Sequence, residues 1–210
     1  MERRLAVADL PGRVRGLTRS AAGRRVVVGI VGPPGAGKST VAERLAAELG
    51  ATVRVLPMDG FHLAQQELVR LGRAARKGAP DTFDVDGYVS ALARVRADTG
   101  RTVYVPTFDR ALEEPVAGAL PFGPEVRVVL TEGNYLLHDA GGWEQVRPLL
   151  DEAWYLDVED QVRVRRLVDR HVRFGRPPAQ ARAWVEQVDE LNTALVARGR
   201  DRSDVVVAVD

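Results

Sequence analysis

Cysteine is absent from this sequence, which excludes disulfides and thiolate metal sites alike. Histidine is scarce, and His62, His138 and His171 are scattered without metal-ligand spacing. No apolar stretch approaches the roughly 20 residues needed to cross a bilayer. The segment 1–25 is rich in arginine but lacks an apolar run followed by a small-residue cleavage site, so it does not read as a signal peptide. The expected compartment is therefore the cytoplasm. Net charge is close to nil, at +1 from 30 basic and 29 acidic residues. The chain as a whole thus has no strong electrostatic reason to seek nucleic acid or an acidic membrane surface. Lysine is nearly missing too: Lys38 and Lys77 are the only two, so a lysine at a motif position is less of an accident here.

What is present is an ordinary globular balance. Of 210 residues, 45% are hydrophobic and 28% charged, enough to bury one substantial core. A single α/β domain over 1–210 is expected, with 1–25 as a helical extension packed on it. Residues 25–31 form a short β-branched run that reads as a strand buried on both faces. Helical spacing follows over 39–49, where Val41, Leu45 and Leu49 recur and Gly50 is placed to end the helix. Further strands are expected at 52–56, 102–105, 126–130, 153–156 and 205–209, with helical patterns between most of them. Asp86 is a plausible N-cap for a helix through Ala97, and 158–172 and 178–196 read as helices separated by a Gly-Arg-Pro-Pro break. This alternation implies a mostly parallel, doubly wound sheet with helices on both faces.

The sharpest signal is the run Gly32, Pro33, Pro34, Gly35, Ala36, Gly37, Lys38, Ser39, followed by Thr40. It is a phosphate-loop pattern standing between a strand and a helix. Glycines let the backbone curl so that successive N–H groups point at phosphate oxygens, and the following helix adds its positive end. Lys38 should reach the β- and γ-phosphates, and Ser39 should offer its hydroxyl to magnesium. A guanine-specific switch would carry an Asn-Lys-x-Asp element, and neither lysine follows an asparagine.

The acceptor side is read from the strand ends. Strand 52–57 delivers MDGFH to the C-terminal edge, where ligands bind in such sheets. Asp59 there could accept the proton of an attacking hydroxyl or hold magnesium through water; a simple turn former before Gly60 is the plainer alternative. His62 is a candidate acceptor contact. RKGAPDTFD and PTFDR look like pocket loops, with Asp81 and Asp84 for acceptor hydroxyls and Phe83 and Phe108 as apolar walls. Glu132, at the end of strand 126–130, suits a magnesium-side carboxylate or a buried pairing with an arginine. Between 162 and 176, Arg166, Arg170 and Arg173 recur on one side of a helix. They are suited to closing over phosphates as a lid over about 159–178, or to forming a solvated face.

In this order the motifs GPPGAGKS, MDGFH, RKGAPDTFD, PTFDR, TEGNYLL, the arginine helix and RDRSDVVVAVD resemble the phosphate-loop kinase family that includes uridine kinase, phosphoribulokinase and bacterial pantothenate kinase. The resemblance covers nearly the whole chain from Arg25 onward. It implies Asp59 as catalytic base, Asp84 and the Phe108–Arg110 loop as acceptor contacts, Arg166 with Arg170 as the lid pair, and Asn192 as a late acceptor-binding residue. PTFDR departs from the Tyr-Ser-His segment of the pantothenate branch, and His62 departs from the uridine kinases. The expectation is an enzyme that uses ATP and Mg2+ to phosphorylate a hydroxyl of a small metabolite, a sugar, nucleoside or pantothenate-like acceptor, as a monomer or homodimer. The competing classes are a regulatory or assembly ATPase without a metabolite acceptor and a nucleic-acid-binding ATPase.

Overall fold

The computed structural model describes residues 3–97 and 100–209. Its centre is strand β2 (Val26–Val31), in which all six residues are buried. Such a strand must be covered on both faces, and alternate side chains divide accordingly. Val26, Val28 and Ile30 enter one hydrophobic cluster with Leu10, Val14, Val41 and Leu45. Val27 and Val31 enter the other, with Tyr88, Leu92, Val95 and Trp143. Helices α1 (Leu10–Ser20) and α2 (Lys38–Leu49) therefore cover one face. Helix α4 (Val85–Ala97) covers the other. A short helix α3 (Gln65–Arg70) lies between them in the chain.

The remaining strands are β1 (Arg4–Ala6), β3 (Val53–Pro57), β4 (Val103–Asp109), β5 (Glu114–Phe122), β6 (Val128–Gly133), β7 (Glu152–Val158) and β8 (Val205–Val209). Six of them form one sheet in the order β1-β8-β7-β2-β6-β3, and every pairing in it is parallel. The expected α/β fold with helices on both sides is thus present. All strand C-termini of a parallel sheet share one edge, and here that edge carries the phosphate loop after β2, the Met58–Phe61 turn after β3 and the Glu132 region of β6.

Three elements differ from expectation. The segment 102–105 does not join the parallel sheet; β4 pairs antiparallel with β5 as a separate two-stranded hairpin. The arginine-rich start carries the expected helix but opens with β1, which extends the sheet by pairing with β8; residues 1 and 2 lie outside the described residues. The cap of α4 is Asp84 rather than Asp86: Asp84 Oδ1 accepts the Gly87 N–H at 2.9 Å, while Asp86 already lies in the first turn.

Beyond β7, helix α5 (Asp160–Arg173) runs to the Gly175 break. The stretch expected as one helix over 178–196 is α6 (Pro178–Trp184), a π-helical segment Val185–Asp189, and α7 (Glu190–Ala197). Arg163, buried at 1%, ties α5 to α7: its Nη1 donates to Glu190 Oε1 at 2.7 Å and to Thr193 Oγ1 at 3.0 Å. Among the described residues, no helix is long and apolar enough to cross a membrane.

Candidate active site

The loop between β2 and α2 turns through Gly35 (φ +81°) and Gly37 (φ +88°), conformations that L side chains rarely adopt. A Cβ at Gly35 would stand 2.7 Å from the Arg163 carbonyl oxygen and 2.9 Å from Leu167 Cγ, so α5 rests directly on the loop. Lys38 opens α2, and its buried ammonium uses all three donors: Gly32 O at 2.8 Å, Pro33 O at 3.1 Å and Asn134 Oδ1 at 2.6 Å. Burial pulls its pKa below that of an ordinary lysine, and the Glu132 and Asp59 carboxylates oppose that pull. Asn134 is a site residue that sequence reasoning passed over. Its position two residues past Glu132, at the end of a core strand, was the available signal.

Ser39 Oγ donates to Glu132 Oε1 at 3.1 Å. Glu132 is 5% exposed, and the Ser39 hydroxyl is the hydrogen-bond donor on its Oε1. Burial and the nearby Asp59 push its pKa up, against the pull of Lys38. A hydroxyl and a carboxylate converging beside a phosphate loop are hard oxygen donors, and they fit a hard divalent cation such as Mg2+.

A cavity of ≈ 1160 Å3 opens above these groups. Pro34, Gly35, Gly37, Lys38, Ser39 and Thr40 line its floor, and Gly32, Pro33 and Ala36 stand behind them as loop framework. Asp59 lines it too, from the turn after β3, where Arg110 Nη2 reaches its Oδ2 at 3.1 Å. The Asp59 backbone carbonyl accepts the His62 Nδ1–H at 2.8 Å, which fixes that tautomer and leaves Nε2 as the acceptor nitrogen. Burial keeps His62 below its ordinary pKa. Its ring is bracketed by Phe83 at 4.0 Å and Phe108 at 5.0 Å between centroids. These form the apolar wall expected of the two phenylalanines.

Arg166 and Arg170 of α5 also line the cavity, so the structure brings the arginine pair over the phosphate loop. Burial and the neighbouring Arg110 charge lower the Arg170 pKa, with Asp189 and Asp59 acting in the other direction. Asn192 lines the wall as well, with its Nδ2 3.5 Å from the Gly78 carbonyl oxygen. Asp81 and Asp84, expected as acceptor contacts, are not among the residues that line the cavity. Asp81 is exposed and held by Arg76, and Asp84 is committed to capping α4. Besides Asn134, Trp184 and Asp189 line the cavity without a sequence signal, and Lys77, His171 and Arg176 line it from the expected pocket loop and lid segment. Both lysines of the chain therefore face one site.

A sequence profile of the family described as Methylmalonyl Co-A mutase-associated GTPase MeaB matches residues 14–61, the stretch that carries the phosphate loop and ends in the Asp59 turn. The chain is 34% identical over 199 residues to a protein of Schizosaccharomyces pombe provisionally named uridine kinase C227.14, covering 88% of this chain and 83% of that one. It is 34% identical over 152 residues to the ATP-dependent kinase-like protein notR' of Aspergillus versicolor, covering 68% of this chain and 88% of the relative. Among solved structures, a provisionally assigned fructose transport system kinase from Silicibacter superposes with a TM-score of 0.87 at 35% identity, over 98% of this chain and 100% of the other. Similarity of this extent, together with the phosphate loop in its strand–helix setting, shows that the chain belongs to the family of phosphate-loop kinases that includes uridine kinase-like proteins.

Proposed function

We propose that this kinase transfers the γ-phosphoryl group of ATP to a hydroxyl of a small-molecule acceptor. The observation that carries the reading is that Asp59 and Lys38 line one cavity within electrostatic reach of each other, with an aromatic wall of Phe83, His62 and Phe108 beside them. A phosphate site alone would serve hydrolysis. A carboxylate facing it from a part-apolar pocket supplies what an acceptor alcohol needs.

In this reading the loop N–H groups, Lys38, Arg166 and Arg170 bind the triphosphate and offset charge on the transferring group. Mg2+ held by Ser39 and Glu132 would supply further charge neutralisation at the phosphates. Asp59 orients the acceptor hydroxyl and takes its proton as the acceptor oxygen bonds to the γ-phosphorus. The bond from that phosphorus to the β,γ-bridging oxygen breaks, ADP leaves, and the proton passes from Asp59 to solvent. Arg110 holds the Asp59 carboxylate in place and sits at the acceptor's edge. Arg170 lies between the two halves of the site, close enough to feel both Asp59 and Arg110.

The test is ADP release from ATP and Mg2+ across a panel of sugars, sugar acids, nucleosides and pantothenate. One acceptor class raising turnover by orders of magnitude supports the reading. A basal rate unmoved by every acceptor, with γ-phosphate appearing only as free phosphate, favours an ATPase whose nucleotide cycle serves regulation or assembly.

A further inference from the structure

Among the described residues, a single buried side-chain nitrogen or oxygen lacks a hydrogen-bond partner, and it is Nη1 of Arg176. Native proteins keep such groups paired with protein, water or ligand, because a buried charged donor without an acceptor is costly. The guanidinium is held in a defined plane: its Cζ stands 4.0 Å over the Trp184 ring, and its backbone N–H donates to the His171 carbonyl at 3.0 Å. The carboxylate in this cluster, Asp189, is occupied by His171 Nε2 at 2.9 Å. Arg176 is thus a half-buried, oriented cation whose buried Nη1 has no hydrogen-bond acceptor, and no carboxylate touches it among the described residues.

Its place separates it from the nucleotide phosphates. Arg163 packs on Gly35, and Arg166 Nη1 stands 3.9 Å from where a Gly37 Cβ would be. From Arg166 to the end of α5 the helix advances about 10 Å, and Arg176 lies beyond that end. The residues around it lead instead to the acceptor loop. Asp189 ends the π-helical segment and Asn192 lies in α7, and the Gly78 carbonyl receives both Asn192 and the Tyr135 hydroxyl, the latter at 2.6 Å. On that side Asp59 is engaged by Arg110 and Glu114 by the Gln65 N–H at 3.0 Å, while Glu113 lines the cavity from the exposed hairpin tip. Lys77, by contrast, donates to the Glu113 backbone carbonyl at 2.8 Å and stands 5.2 Å from the Phe108 ring centroid.

We infer that Arg176 is a specificity-determining residue that receives an anionic group, carboxylate or phosphate, carried by the acceptor. The planar fork suits bidentate capture of an oxyanion. The inference rests on the kinase reading above and deepens it to an acidic or already phosphorylated acceptor.

Two measurements test it together. The first is kcat/KM for matched pairs that differ in charge: glycerol and glycerate, glucose and gluconate, pantothenol and pantothenate, fructose and fructose 6-phosphate. The wild type should favour one anionic member by about tenfold or more, and the carboxylate and phosphate arms separate the two sources of charge. Arg176→Met should remove that preference, about 10- to 100-fold and chiefly through KM, while the Kd for a fluorescent ATP analogue stays within about twofold. Arg176→Lys, which keeps the charge and loses the fork, should fall between, and thermal melts of both variants exclude misfolding as the cause. The second is tryptophan fluorescence with the phosphate loop saturated by Mg2+ and a non-hydrolysable ATP analogue, titrated with malonate or phosphate. Trp143 and Trp154 are fully buried, so a response lost in both Arg176→Met and Trp184→Phe reports this cluster. Equal or better turnover of every neutral member, a nucleotide Kd raised by Arg176→Met, or no fluorescence response in the wild type would each overturn the inference. A fluorescence response without any acceptor-stimulated turnover would leave the anion site standing and remove the kinase reading beneath it.

Discussion

Arg110 Nη2 stands 3.1 Å from Asp59 Oδ2, so the tip of the β4–β5 hairpin grips the carboxylate proposed as the base. Both side chains are partly exposed, at 46% and 34%, and such a pair contributes little to folding. Its value lies in orientation. Asp59→Asn is therefore expected to lower acceptor-stimulated turnover by about 10²–10⁴-fold while leaving the melting temperature and nucleotide Kd nearly unchanged. Arg110→Met should cost less, with the loss in acceptor kcat/KM. Full turnover by Asp59→Asn would remove the base assignment.

Lys38 spends its three donors on Gly32 O, Pro33 O and Asn134 Oδ1, three acceptors that the rotating donors of a compact ammonium can satisfy. Arginine is the usual cation of this protein, yet a planar guanidinium cannot reproduce that geometry. Lys38→Arg is expected to keep the charge and still lower turnover by about 100-fold, through lost stabilisation of the transferring group. Retained activity would mean that charge alone, and not donor geometry, is required at this position.

The phosphate loop was legible because its chemistry restricts residue types: only glycine readily adopts the backbone at Gly35, and a lysine stands out in an arginine-rich chain. The parallel core was legible for a similar reason, since β2 is buried on both faces and reads as an apolar run, and β6 opens on one at Val128–Leu130. The hairpin was not. Strand β5 carries Pro115, Gly118 and Pro121, residues that argue against a strand, and they are tolerated because it pairs only with β4 and stays largely exposed. Asp84 and Asp86 are equally good caps by residue type, and only the Gly87 N–H decides between them. The π-helical turn at Val185–Asp189 has no sequence signature, so the placement of Asp189 and the cluster around Trp184 had to come from the structure.

Gly60 follows Asp59, and a Cβ there would stand 2.4 Å from the Pro106 carbonyl oxygen. Backbone cannot yield as a flexible side chain does, so Gly60→Ala must push the turn and the hairpin apart. A destabilisation of about 1–3 kcal/mol is expected, with a larger relative loss of turnover than of melting temperature because Asp59 moves with the turn. Gly12 in α1 has nothing within 4 Å of its virtual Cβ, and Gly12→Ala should be neutral or slightly stabilising. Equal melts and equal rates for the two variants would show that the turn and hairpin are not in register-fixing contact.

Asp151 anchors the edge of the sheet remote from the phosphate loop. Its carboxylate accepts the Val27 N–H at 2.8 Å, Arg24 Nη1 at 2.7 Å and both Arg96 Nη atoms near 3 Å, while its own N–H donates to the Val27 carbonyl. Burial by itself would raise this carboxyl, but the donors from Arg96, Val27 and Arg24 outweigh it and hold the group below the usual aspartate value. A carboxyl depressed in the folded state contributes stability that is complete above its unfolded pKa and disappears as pH falls through the folded one. Asp151→Asn is therefore expected to melt about 4–8 °C lower at pH 7, for a loss of about 2 kcal/mol. The gap between variant and wild type should close progressively from about pH 4 downward. Thermal melts of both proteins between pH 2.5 and 7 check this, and a gap that stays constant into acid would mean that Asp151 stabilises the fold through shape rather than charge.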